Sequence, residues 1–313
     1  MKKILLLIFL VINYNSFAQK EASIWYFGEY AGLDFNSGTP IPLLDGQLET
    51  YEGCATIADN NGNLLFYTDG ITVWNKNHKV MQNGTGLLGD ISSTHSALIV
   101  PKPETPNIYY IFTVDAYAEP NGLNYSEVDM NLESGLGAIT SIKNVNLETP
   151  VPEKVTAIKH NNGIDYWVVS HKWESDEFIS YKVTKNGVTH FPVISKVGSY
   201  IGNSLGKAPG AIKISPNGKK IAVANVYNYS LTDRSNVELF DFDTATGKLS
   251  NPITIAFNAN LNANISYRGI EFSPNSELLY FSESHHLNIY PNVDHKIYQV
   301  NLKAGDETAI INS

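Results

Sequence analysis

Histidines, carboxylates and one cysteine are the side chains that could do chemistry in this 313-residue chain. His285 and His286 stand together, with His295 and Glu283 nearby, and form the densest histidine cluster. Zinc catalysis ordinarily needs three protein ligands and an open position. Adjacent residues on an extended segment point to opposite faces, so this pair reads as part of a variable loop and not as a metal centre. Cys54 lies in the apolar stretch Gly53-Cys54-Ala55-Thr56-Ile57. A nucleophilic thiol needs a lowered pKa beside a base, so Cys54 reads as a small buried hydrophobe, and a single cysteine excludes an intrachain disulfide. Asp59-Asn60-Asn61-Gly62-Asn63 begins like a calcium loop. Its glycine falls at the fourth position and Gly70 occupies the twelfth, where a carboxylate is required, so a hairpin turn is the expectation. No nucleophile elbow, HExxH helix or P-loop is present. No resident cofactor is expected, and no metal or catalytic residue is assigned.

The segments that must carry these residues are short and β-rich, and Gly, Asn, Asp and Pro separate them. One pattern recurs five times. A strand leads into a turn, and a second strand follows that ends in a small residue. The turns are Asp59–Gly62, Thr105-Pro106-Asn107, Asn161-Asn162-Gly163, Ser215-Pro216-Asn217-Gly218 and Ser273-Pro274-Asn275-Ser276. The small residues are Thr68, Thr113, Ser170, Ala224 and Ser282, spaced 45 to 58 residues apart. Third strands such as Val237–Phe242 and Ile297–Leu302 follow, and fourth strands are expected at Pro252–Ile255 and Thr308–Ile311. Four strands at that period are the signature of a propeller blade. A lone four-stranded sheet cannot bury both faces, but blades set radially bury them against each other. The fold expected is therefore an all-β propeller spanning 22–313. It has a partial blade at 22–48 and units at 52–90, 95–148, 154–197, 208–257 and 267–313, and the ring is expected to be incomplete. A β-sandwich is the alternative.

In such a fold the loop before each innermost strand and the loop after each second strand share one face of the axis. The residues so placed are Glu52, His95, Lys154, Lys207 and Arg268, and Asp69, Asp115, His171, Asn225 and Glu283. They are candidate binding residues around a mixed-charge funnel. The 18 tyrosines and 4 tryptophans read mainly as strand residues packed between blades.

The chain has 43% hydrophobic and 17% charged residues and a formal charge of −9. That balance excludes the disordered class and argues against nucleic acid as a partner. Lys2 and Lys3, the apolar run Ile4–Ile12 and the small residues Ser16 and Ala18 read as a signal peptide over 1–18. Nine apolar residues are too few to span a hydrocarbon core of ~30 Å. Export to the extracellular space or the outer-membrane surface is therefore expected, with no membrane span.

Several runs resemble the N-terminal region of exported surface proteins of the Bacteroidetes. These are Ile24-Trp25-Tyr26-Phe27-Gly28, Ala31–Phe35, Glu52–Asp59, Gly62–Gly70, Val73-Trp74-Asn75, Gly84–Gly89 and Ser96–Pro101. Such proteins are described as gliding-motility-associated or type IX sorted, and they usually continue into PKD modules and a sorting domain. The resemblance covers most of 22–313, implies the propeller fold and possible further C-terminal domains, and supplies no catalytic motif. It points to a non-catalytic module for surface interaction, whose partner would be a protein or glycan at the cell surface. The alternatives are a lactonase-like or lyase-like propeller enzyme with its site at the central funnel, and a structural spacer.

Overall fold

The computed structural model describes residues 20–226, 235–257, 264–286 and 293–313. The signal-peptide segment lies outside them, as do the side chains of His285 and His286.

Strands follow one another as antiparallel meanders in six sheets. The first holds β1 (Ile24–Phe27), β2 (Ala31–Asp34) and β3 (Ile41–Leu43). The second holds β4 (Ala55–Ala58), β5 (Leu64–Thr68), β6 (Thr72–Asn75) and β7 (Val80–Thr85). The third holds β8 (Ala97–Pro101), β9 (Ile108–Val114), β10 (Leu123–Asp129), β11 (Ala138–Ile139) and β12 (Val145–Glu148). The fourth holds β13 (Val155–Lys159), β14 (Tyr166–His171), β15 (Ser175–Thr184), β16 (Gly187–Val188) and β17 (Val193–Ile201). The fifth holds β18 (Ile212–Ile214), β19 (Lys220–Asn225), β20 (Asn236–Asp243) and β21 (Lys248–Phe257). The sixth holds β22 (Asn264–Phe272), β23 (Leu278–His286) and β24 (Val293–Asn301), followed by α1 (Glu307–Ile311). A single parallel bridge, Ala138 opposite Gln82, links the outer parts of the second and third sheets.

Hydrophobic burial shows that the sheets are blades. Successive residues on a strand face opposite sides of its sheet, and here the two sides feed two different cores. Tyr67 packs with Ile24 and Tyr26 of the first sheet, whereas Phe66 packs with Ile111 and Val128 of the third. Phe112 joins Val168 and Ile179 of the fourth sheet. Trp167 and Val169 join Ile212, Val223 and Phe240 of the fifth. Ala222 and Leu239 join Ile270 and Phe281 of the sixth. Five cores thus fill the five gaps between consecutive sheets, which a two-layer sandwich cannot do. The innermost strands β1, β4, β8, β13, β18 and β22 neighbour one another in that order around an axis. Among the described residues no such core joins the sixth sheet to the first, so the propeller is an incomplete ring.

The hairpins form as their residues dictate. Asp59 Oδ1 accepts from the Asn61 and Asn63 amides, and Gly62 takes φ +87°, so this stretch is a hairpin turn. The two Ser-Pro-Asn turns repeat each other in detail. Ser215 Oγ donates to Asn217 Oδ1 and accepts from the Lys220 amide. Ser273 Oγ donates to Asn275 Oδ1 and accepts from the Leu278 amide.

One local expectation is corrected. Thr308–Ile311 is not a fourth strand but lies within α1. Asp306 caps that helix by accepting from the Ala309 amide at 3.0 Å, and Ile310 turns into the last core. The cap gives the backbone a local partner in place of a strand ladder.

Candidate functional site

The innermost strands enclose a cavity of about 1070 Å³. Trp25 of β1, His95 just before β8, Tyr109 of β9, Lys159 of β13, Tyr166 of β14 and Lys213 of β18 all line it. Blade twist brings these residues together from four sheets. Cys54 also lines it, and burial pushes its thiol up to about 11, so the group is a neutral thiol.

The end of the axis where the innermost strands begin is crossed by a polar network. Arg268 Nη1 donates to Glu52 Oε1 at 3.2 Å. The Thr94 hydroxyl lies 3.0 Å from Glu52 Oε2 and 2.8 Å from Glu153 Oε2. The Thr94 amide donates to Glu153 Oε2, the Tyr117 amide donates to Glu153 Oε1, and the Gly210 amide donates to Thr94 Oγ1. Loops leading into the second, third, fourth and fifth sheets therefore meet the innermost strand of the sixth here. Glu153 is fully buried, and desolvation raises its pKa while the amide donors and Lys154 oppose the rise. Lys154 is also fully buried, and its Nζ donates to the Ala208 and Pro209 carbonyls. Burial pulls its ammonium down to about 7, against the pull of Glu153.

His95 stands between this network and the cavity. Burial, with the charges of Lys213 and Lys154, lowers its pKa to about 3 against a hydrogen bond to the Glu153 main chain. Its Nδ1 is sealed and has no hydrogen-bond partner. The ring is part-exposed toward the cavity. It is thus a neutral imidazole with an uncommitted nitrogen.

The ten residues expected at the funnel divide. Glu52 and Arg268 meet, His95 lines the cavity, and Lys154 sits beneath the network. Asp69 instead accepts from the Ile71 and Thr72 amides and holds a turn. Asp115 does the same for the Ala116 and Asn121 amides. Asn225 donates to Asn236 Oδ1 and Glu238 Oε2. His171 is buried against Phe178, with Nδ1 2.6 Å from the Lys172 carbonyl. Lys207 is buried in a 3-10 turn. Glu283 accepts from Tyr298 at 3.3 Å and lies 3.9 Å from Lys296. Asp69 and Asp115 are therefore committed to local capping, and His171, Asn225 and Glu283 to contacts within their own sheets. Among the described residues no three His, Cys, Asp or Glu side chains converge as a metal site.

Sequence reasoning missed Thr94, Glu153 and Lys213. Glu153 had one signal, its place beside Lys154 in an innermost-strand loop. Thr94 had the same signal beside His95, and Lys213 had none.

No family model and no curated protein matches the chain. Among solved structures it is similar to Kuenenia stuttgartiensis hydrazine synthase at 13% identity and TM-score 0.45. That match covers 80% of this chain, which spans 60% of the hydrazine synthase chain. It is similar to a putative 6-phosphogluconolactonase from Bacteroides uniformis at 14% identity and TM-score 0.41, covering 87% of this chain and 78% of that one. It is also similar to the periplasmic gluconolactonase of Pseudomonas aeruginosa at 13% identity and TM-score 0.42, covering 87% and 80%. The expectation of a non-catalytic surface-interaction module is corrected by these findings. These solved structures are named as enzymes, and at this identity the likeness extends to fold alone.

Proposed function

We propose that this chain is a propeller enzyme of the lactonase-like or lyase-like kind, working by acid–base chemistry in the central cavity. One observation supports the reading above others: the neutral, part-exposed His95 imidazole in the wall of a cavity of about 1070 Å³. Ionisable groups displaced from their ordinary values within a concave site are what catalytic proton transfer calls for. Trp25, Tyr109 and Tyr166 offer aromatic faces, and Lys213 and Lys159 offer positive charge. That lining suits a sugar-derived acid or lactone.

In this scheme His95 removes a proton from water attacking a lactone carbonyl and returns it to the ring oxygen as the ester bond breaks, or removes one from the carbon next to a carboxylate and returns it to the glycosidic oxygen expelled from the neighbouring carbon. Lys213, held 3.4 Å from Glu271 Oε2, favours the negative charge that develops.

The test is turnover of a panel of sugar lactones and uronic-acid glycosides by the purified protein, followed by proton release and by absorbance of unsaturated product. His95→Gln is expected to lower turnover about 10²–10⁴-fold, the usual contribution of a general base. Lack of turnover across the panel, or unchanged turnover in His95→Gln, removes the proposal.

A further inference from the structure

The cavity does not end at the innermost strands. Pro101, Tyr109, Lys159 and Tyr166 line it and also line a second groove of about 400 Å³. That groove runs outward between segment 102–108, the hairpin of the third sheet, and Ile164 of the fourth. The two spaces share four residues and make one trench that leaves the axis at the end opposite the Glu52–Arg268 network. A cavity near 1,000 Å³ is already at the upper size for enclosing one small ligand, so a single ring leaves the outer groove unused.

The chemistry of the trench is specific. Ile164 is 46% exposed on the groove and gives an apolar surface beside the half-buried Tyr166 ring. The other charges of the 102–108 hairpin are paired, Lys102 with Glu127 at 3.1 Å and Glu104 with Lys185 at 3.2 Å. Lys159 is exposed and has no ion-pair partner among the described residues. It therefore places an uncompensated positive charge where cavity and groove meet. Glu21 also lines the cavity, close enough for its charge to raise the pKa of both Tyr109 and Tyr166. Its Oε2 is buried without a hydrogen-bond partner.

We infer that the trench binds an acidic oligosaccharide of two or more rings, one ring in the cavity and the next over Tyr166 and Ile164. Lys159 holds a carboxylate at the junction. The tyrosine and isoleucine surfaces cover the apolar faces of the sugars. The inference deepens the enzyme reading by naming the length and charge of its substrate, and it rests on that reading.

The test is calorimetric binding of uronic-acid oligomers of one to four rings, and of neutral oligomers with the same linkage, to the full chain and to two exposed-site variants. Affinity for acidic oligomers is expected to rise about tenfold from one ring to two, the value of one added stacked ring. Lys159→Gln removes most of the preference for acidic over neutral oligomers. Ile164→Glu removes the gain with length and leaves binding of a single ring unchanged. Affinity that does not change with length, equal binding of neutral oligomers, or insensitivity to Lys159→Gln overturns the inference. Single-ring turnover by a protein without length-dependent binding sinks the trench and keeps the enzyme. Length-dependent binding with no turnover sinks the enzyme and keeps the trench.

Discussion

Glu52 and Arg268 are 216 residues apart in the chain, yet Arg268 Nη1 donates to Glu52 Oε1 at 3.2 Å. The pair ties the loop before the second sheet to the innermost strand of the sixth. Both side chains are partly exposed, at 29% and 42%. Solvent screens such a pair, so it contributes about 1 kcal/mol or less. Arg268→Met is expected to shift the urea midpoint by no more than that, with a smaller effect still in high salt.

Thr94 is expected to matter more, because its hydroxyl serves the fully buried Glu153. Thr94→Ala leaves Glu153 Oε2 with one donor fewer and should cost about 1–3 kcal/mol. Thr94→Ser keeps the hydroxyl and should recover most of the loss. Equilibrium denaturation of the two variants separates these outcomes.

Gly210 takes φ +125°, and a Cβ there would stand 2.2 Å from the Ala224 carbonyl oxygen. Gly210→Ala has both strain and a backbone clash to relieve, at a cost of about 1–3 kcal/mol. Movement of this loop also disturbs the Ala208 and Pro209 carbonyls that hold Lys154. A lowered midpoint in denaturant is the expected result. A wild-type midpoint would show that the loop has room to adjust.

His171 is fully buried, and desolvation lowers its pKa from an ordinary 6.5 to about 4. Between those values the unfolded chain binds the proton and the folded chain does not. Stability from this group is therefore complete above pH 6.5 and is lost as the pH falls toward 4. The loss approaches about 1.4 kcal/mol per pH unit inside the window. From pH 7 to pH 5, wild type should lose roughly 2 kcal/mol more than His171→Phe. Thermal melts of both proteins across that range measure the difference.

Cys54 should be slow to alkylate in the native protein. Its pKa of about 11 makes the thiolate roughly 100-fold rarer at neutral pH than for an ordinary cysteine. Labelling with iodoacetamide is expected to be fast only after unfolding. Rapid native labelling would mean that the thiol side of the cavity is wetter than its burial implies.

Much of the fold was legible because its causes are local. Asp59 and Gly62, Ser215 and Asn217, and Ser273 and Asn275 fix their own turns through bonds within a few residues. Alternation along Leu65-Phe66-Tyr67 or Trp167-Val168-Val169 requires a strand buried on both faces. Those two facts, repeated every 45 to 58 residues, determine blades and their order. The C-terminal segment misled because Thr308–Ile311 has strand-like residues, while the decisive signal was one capping aspartate before it. The site was less legible. Asp69, Asp115 and Asn225 have the right position in the repeat, but each is used by its own turn or sheet. His95, Lys213 and the cross-strand pair Lys159 and Tyr166 come from three blades, and only the angle between blades decides that they face one cavity. The sequence by itself determined the strands, the turns and the radial packing, since these depend on neighbours in the chain. The tertiary structure alone decided which side chains lost water together, because desolvation depends on what closes over a group from the other sheets.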